Sequence, residues 1–219
     1  MIKARLGADV DQAIQRIFPF LTRVRLDPNA LTMAGVVAAG ASGIAFAVHA
    51  PRLAGLLLIL AGIFDLIDGV VARNQGRSSA FGAFFDSTMD RVSELLVFAG
   101  IGFAMASRAD TSGILLLFWA VLGSFMTSYT RARAEKDLAS LSAGLMERAE
   151  RCVVLIVGAL SGFLQVALLI IALGSTLTAI QRIRAARGLL RVLEETGRDP
   201  TLEEVPAEDA GTDEEVSHD

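Results

Sequence analysis

The sequence predicts an all-α integral membrane protein, with six transmembrane helices preceded by an N-terminal amphipathic helix lying at the membrane interface. Three observations carry that expectation. Of 219 residues, 53% are hydrophobic and 20 are glycine, too apolar and too glycine-rich for a soluble domain of this length. Apolar runs recur at or above the ~20 residues that a bilayer demands. Lys and Arg, finally, collect in alternate connections. The lone Cys152 sits in an apolar run, so neither a disulfide framework nor a thiolate metal site is expected. The N-terminus lacks an early apolar core and a small-residue cleavage site, so no cleaved signal peptide is predicted.

In chain order, residues 1–28 form a juxtamembrane segment. Val10, Ile14, Ile17, Phe18 and Leu21 fall at helical spacing between polar residues, the pattern of a helix lying on a membrane surface, with Pro19 able to kink or end it. Asp27-Pro28-Asn29 then breaks the chain and opens a helix. A membrane domain over 29–192 follows. Its spans are expected at 30–49, 53–72, 79–107 and 111–130. The last apolar block, 152–180, is long for one span and short for two. It divides near Ser161-Gly162, with a fifth helix from about Leu145 and a sixth running to about Leu190. Residues 193–219, acidic with Arg198 the only basic residue among Lys and Arg, account for the net charge of −4 and should be a disordered cytoplasmic tail.

Basic residues precede the first span (Lys3, Arg5, Arg16, Arg23, Arg25), separate the second from the third (Arg73, Arg77) and the fourth from the fifth (Arg131, Arg133, Lys136, Arg148, Arg151), and follow the sixth (Arg182, Arg184, Arg187, Arg191). The opposite connections hold only Arg52 and Arg108. Six spans with both termini in the cytoplasm satisfy this bias, in the cell membrane, with the polar ends of spans two and three facing the cytoplasm.

Those ends carry the chemistry. Asp65, Asp68, Asp86 and Asp90 stand between apolar flanks, where an unpaired carboxylate costs several kcal/mol. Spacings of three and four put each pair on one helical face. Two such faces turned together make a cage of hard oxygen donors, and without His or Cys it suits Mg2+ or Mn2+ rather than zinc. Four carboxylates exceed what one ion needs, which points to two divalent cations and phosphoryl chemistry.

The full pattern is D-x2-D-G-x2-A-R-x8-G-x3-D-x3-D, occupied by Asp65, Asp68, Gly69, Ala72, Arg73, Gly82, Asp86 and Asp90. Here the chain resembles the CDP-alcohol phosphotransferase family, matching its signature at every fixed position. The resemblance implies that an acceptor hydroxyl attacks the lipid-side phosphorus of a CDP-linked lipid, CDP-diacylglycerol or CDP-archaeol, and CMP leaves. It further implies Asp65, Asp68 and Asp86 as metal ligands, with Asp90 as both ligand and catalytic base. Asn29, Thr32, Gly69, Ala72, Arg73, Ser79 and Gly82 would contact the nucleotide lipid, although helix capping accounts for Asn29 and Thr32 about as well.

A second group bears on the acceptor. Tyr129-Thr130-Arg131-Ala132-Arg133-Ala134-Glu135, followed by Glu147-Arg148-Ala149-Glu150-Arg151, resembles the branch of that family that makes phosphatidylinositol phosphate, archaeal ether-lipid enzymes included. By that resemblance Ser128, Arg131, Arg151 and Arg182 form the phosphate pocket for inositol 1-phosphate, and the enzyme is a homodimer. Arginine suits the task because its fork grips a dianionic phosphate. Glycerol 3-phosphate is the competing acceptor. A Mg2+ transporter is a distant alternative, since no acidic ladder continues across the membrane. A membrane prenyltransferase would leave the D-G-x2-A-R portion without a purpose. No nucleic-acid partner is expected.

Overall fold

The computed structural model describes residues 27–74 and 79–202, and over these the chain is all-helical. Six helices follow one another: α1 Pro28–Ala47, α2 Pro51–Asn74, α3 Ala80–Ala106, α4 Thr111–Ala134, α5 Arg148–Ser161 and α6 Leu164–Thr196. The expected interfacial helix and residues 203–219 lie outside the described residues. α1, α2, α4 and α6 are long and apolar enough to cross a membrane by length and composition. α3, at 27 residues, is long enough but carries Asp86, Asp90, Arg91 and Glu94 between its start and its midpoint region. α5 has 14 residues, about 21 Å at 1.5 Å per residue and short of a ~30 Å hydrocarbon core.

The helix starts follow local chemistry. Asp27 caps α1 by accepting from the Asn29 N–H, ahead of a proline in the first turn. Ser79 caps α3 by accepting from Gly82 N–H at 2.9 Å. Asp110 caps α4, accepting from Gly113 N–H and the Ser112 hydroxyl, which hold its carboxyl below the usual carboxylate range. Its other oxygen accepts from Gln165 Nε2 at 2.9 Å, tying the α3–α4 turn to the start of α6. α5 ends at Gly162, whose φ of 85° is left-handed, so the chain reverses where the sequence predicts.

One core joins all six helices. It includes Phe46 of α1, Leu58 of α2, Ile101 of α3, Ala120 of α4, Leu155 of α5 and Ile171 of α6. α1 and α3 meet backbone to backbone: a Cβ on Gly100 would lie 2.6 Å from Gly43 Cα. Outside the core, Val37, Ile44, Leu56, Phe103, Phe118 and Leu173 point outward and are more than half exposed. That exterior belongs in lipid, and with the apolar helices it makes the chain a multi-pass membrane protein.

Two boundaries depart from expectation. α5 starts at Arg148, not near Leu145, because the Leu145 and Met146 N–H groups donate to the Thr178 hydroxyl (3.3 and 2.9 Å) and Gly144 adopts φ 124°. A side chain on α6 thus replaces the first turn that the sequence suggests. α6 continues past Leu190 to Thr196. Leu189, Leu190 and Leu193 pack on Ala134, Leu138 and Leu141, giving the extension an apolar face to bury. The chain stays ordered beyond that helix: Asp199 accepts from Ala139 N–H at 2.6 Å and from the Thr201 hydroxyl, and Thr201 is buried. Those bonds, the Thr201 hydroxyl foremost, lower the Asp199 carboxyl below its ordinary range.

Candidate active site

At one end of the bundle α2 and α3 bring Asp65, Asp86 and Asp90 together, with one oxygen of each within 4.8 Å of the others. The spacing arises as the helical period requires: Asp86 and Asp90 are a turn apart on α3 and face Asp65 on α2. Three hard oxygens this close suit a divalent cation that prefers oxygen ligands. Asp68 is buried in the adjacent wall, and its Oδ2 accepts from the Thr32 hydroxyl at 2.7 Å. Thr32 therefore anchors a signature carboxylate across the α1–α2 interface, while its hydroxyl also donates to Pro28 O.

Arg148, the first residue of α5, reaches into this cluster. Its Nη1 lies 2.7 Å from Asp65 Oδ1 and 2.7 Å from Asp90 Oδ1. It supplies counter-charge to two half-buried carboxylates, joined at Asp90 by Arg91 Nη1 at 3.7 Å from Oδ2, and spacing alone did not single it out.

A cavity of about 1000 Å3 opens beside the cluster. Asp65, Asp68 and Asp90 line it, and so do Ser128, Arg131, Arg151 and Arg182. The carboxylate end and the predicted acceptor arginines therefore share one space. Asn29, Gly69, Ala72, Arg73, Ser79, Gly82 and Asp86 do not line it. Of these, Ser79 and Gly82 form the α3 cap, and a Cβ on Gly69 would come within 3.3 Å of Arg73 Nη1. Glycine at 69 thus lets the Arg73 side chain fold back along α2.

The arginines are held by glutamates that sequence reasoning passed over. Arg151, 3% exposed, donates to both Glu94 oxygens at 2.7 and 3.1 Å and to Met146 O at 3.3 Å. Arg182, 2% exposed, donates to Ala143 O, Thr127 O and Glu147 Oε1 at 2.8, 2.7 and 3.1 Å. Glu147 stands at the N-cap of α5 yet makes no side-chain cap. Its carboxylate serves Arg182 instead. Arg131 is more exposed and pairs with Glu135 at 2.8 Å. Two signals could have found these partners: Glu94 lies one turn after Asp90 on the same face, and Glu147 opens the E-R-x-E-R run.

Comparison with known proteins agrees with the geometry. Residues 25–180 match the family model described as CDP-alcohol phosphatidyltransferase. An archaetidylinositol phosphate synthase of Pyrococcus horikoshii is 32% identical over 190 residues, covering 86% of this chain and 98% of that protein. A phosphatidylinositol phosphate synthase of Streptomyces avermitilis is 34% identical over 183 residues, covering 77% of this chain and 75% of its own. Among solved structures, the Mycobacterium tuberculosis phosphatidylinositol phosphate synthase with CDP-DAG bound superimposes with a TM-score of 0.69 at 27% identity, covering 83% of this chain and 94% of that one. The same mycobacterial enzyme has been solved in complex with manganese and citrate, with a TM-score of 0.69 at 26% identity. A family match over most of the chain, meeting an aspartate cluster at the head of an all-helical membrane bundle, makes this protein an enzyme of the CDP-alcohol phosphatidyltransferase family.

Proposed function

We propose that this enzyme transfers the phosphatidyl group of CDP-diacylglycerol, or its ether-lipid counterpart, to the hydroxyl of inositol 1-phosphate, giving phosphatidylinositol phosphate and CMP. The observation that carries this is the shared cavity, with Asp65, Asp68 and Asp90 at one end and Ser128, Arg131, Arg151 and Arg182 in its wall. A phosphorylated acceptor suits this lining better than serine or free inositol: a dianionic phosphate can draw the three guanidinium groups from Glu135, Glu94 and Glu147, whereas serine offers one carboxylate and free inositol no charge. The relatives' names point to the same acceptor.

The roles follow from position. Asp65, Asp68, Asp86 and Asp90 would hold two divalent cations, Mg2+ or Mn2+, which when bound neutralise charge on the diphosphate as CMP departs. Asp90 takes the acceptor's hydroxyl proton. The freed oxygen bonds to the lipid-side phosphorus as the P–O bond to CMP breaks, and CMP carries away the electron pair. Asn29, Thr32, Gly69, Ala72, Arg73, Ser79 and Gly82 contact the nucleotide lipid, with Thr32 acting through Asp68. The six helices form six passes of the cell membrane, α3 with its polar end towards the cytoplasm and the 14-residue α5 completed on that side by the segment 135–147 that precedes it. Both termini and the site face the cytoplasm, and the enzyme works as a homodimer.

The test is CMP release by purified protein with CDP-diacylglycerol and Mn2+ or Mg2+, comparing inositol 1-phosphate, glycerol 3-phosphate, free inositol and serine. Release that depends on inositol 1-phosphate is the expected result. Preference for glycerol 3-phosphate would keep the reaction and replace the acceptor. Asp90→Asn should stop turnover while CDP-lipid still binds, and a near-normal rate would remove Asp90 as the base.

A further inference from the structure

We propose that Arg148 is a resident competitor for the divalent cations, a positioning residue that keeps metal binding weak until the nucleotide lipid arrives. This rests on the reading of the aspartates as metal ligands. Arg131, Arg151 and Arg182 all pair with glutamates and with none of the three clustered aspartates. Arg148 instead spends one nitrogen on two cluster members, 2.7 Å from Oδ1 of both Asp65 and Asp90. It therefore bridges α2 and α3 from α5, through the oxygens that a cation would use.

An oxygen that accepts a guanidinium proton at 2.7 Å cannot also hold Mg2+ at ~2.1 Å without setting the two positive centres a few ångströms apart. Binding the ion must push the guanidinium away or bear the repulsion, and either lowers affinity. The arriving diphosphate changes the balance. It is anionic and enters beside the aspartates, so it offers the displaced guanidinium a new partner. Metal and CDP-lipid then reinforce each other, each raising the other's affinity by the same factor.

Mn2+ binding by the full-length protein in detergent micelles, followed through the spectrum of free Mn2+, tests this. Four proteins are compared: wild type, Arg148→Gln, Arg148→Lys and Asp86→Asn, each with and without CDP-diacylglycerol and without acceptor. Without lipid, Arg148→Gln should bind Mn2+ tighter than wild type by at least about tenfold, given one fewer positive charge at contact distance. The gain on adding lipid should shrink in that variant. Arg148→Lys, which keeps the charge, should stay near wild type. Should the glutamine variant not fold, Arg148→Met keeps the side-chain stem and carries the same expectation. Equal or weaker binding in the neutral variants overturns the proposal and leaves the metal site standing. Binding that Asp86→Asn does not alter places the ion elsewhere, overturning the metal reading and this proposal with it.

Discussion

Removing Arg151 should damage the enzyme in two separable ways. The guanidinium is 3% exposed, and its two bonds to Glu94 measure 2.7 and 3.1 Å. Arg151→Ala leaves the Glu94 carboxylate without its partner in a largely dry wall. Breaking a fully buried pair from one side costs roughly 3–5 kcal/mol. Glu94 is 19% exposed on its side chain and keeps some contact with water, so the loss expected here is about 2–4 kcal/mol. Thermal unfolding in detergent reads this part. The second part is acceptor binding: the KM for inositol 1-phosphate should rise far more than that for CDP-diacylglycerol. The double variant Arg151→Met, Glu94→Gln separates the two. It neutralises both partners at similar volume, so stability should return to within about 1 kcal/mol of wild type while the acceptor KM stays high. If the double variant regains both, Arg151 serves the fold alone; an Arg151→Ala protein as stable as wild type would refute the buried-charge reasoning.

Other perturbations follow from the same contacts. Gly100→Ala places a Cβ against the Gly43 backbone, which cannot rotate away. We expect destabilisation at or above the ~1–3 kcal/mol usual for overpacking, read as a lowered unfolding midpoint, and an unchanged midpoint would mean that α1 and α3 are not so close. Thr32→Val deletes the 2.7 Å bond to Asp68, a charge-assisted contact worth about 1.5–3 kcal/mol; activity should fall more than in Thr32→Ser, which keeps the hydroxyl. Truncation after Leu202 should leave turnover intact, whereas truncation after Leu193 removes the Asp199 bond to Ala139 and should raise the acceptor KM several-fold, since that loop leads to Glu147. Because the Asp199 carboxyl is held below its ordinary value, its contribution is present above that value and is lost as pH falls through the lowered one. The acceptor KM should therefore be insensitive to this group at about pH 6–8 and rise only in acid.

Much of this architecture is legible in the chain because the deciding signals are local. Ser79 caps α3 where the sequence places its start, and Gly162 reverses the chain between α5 and α6 because few residues other than glycine adopt φ 85°. The aspartate cluster is legible for the same reason, since helical period alone puts Asp86 and Asp90 on one face. What escaped depends on contacts between distant segments. Nothing near Leu145 announces that the Thr178 hydroxyl will take two N–H groups and delay α5. Arg148 could equally have been a solvated basic residue until α5 carried it onto Asp65 and Asp90. Glu94 and Glu147 gain meaning only beside the arginines that they hold. The length of α6, by contrast, was available: Leu189, Leu190 and Leu193 continue an apolar face beyond the point where charge suggested a tail.

Anomalous scattering from crystals grown with Mn2+ and CDP-diacylglycerol asks whether the signature aspartates share divalent cations at the point where the CDP-lipid is cleaved. Manganese peaks are expected within about 2.0–2.3 Å of carboxylate oxygens of Asp65, Asp86 and Asp90, next to the diphosphate. Manganese bound elsewhere, or a diphosphate seated away from these carboxylates, refutes that assignment.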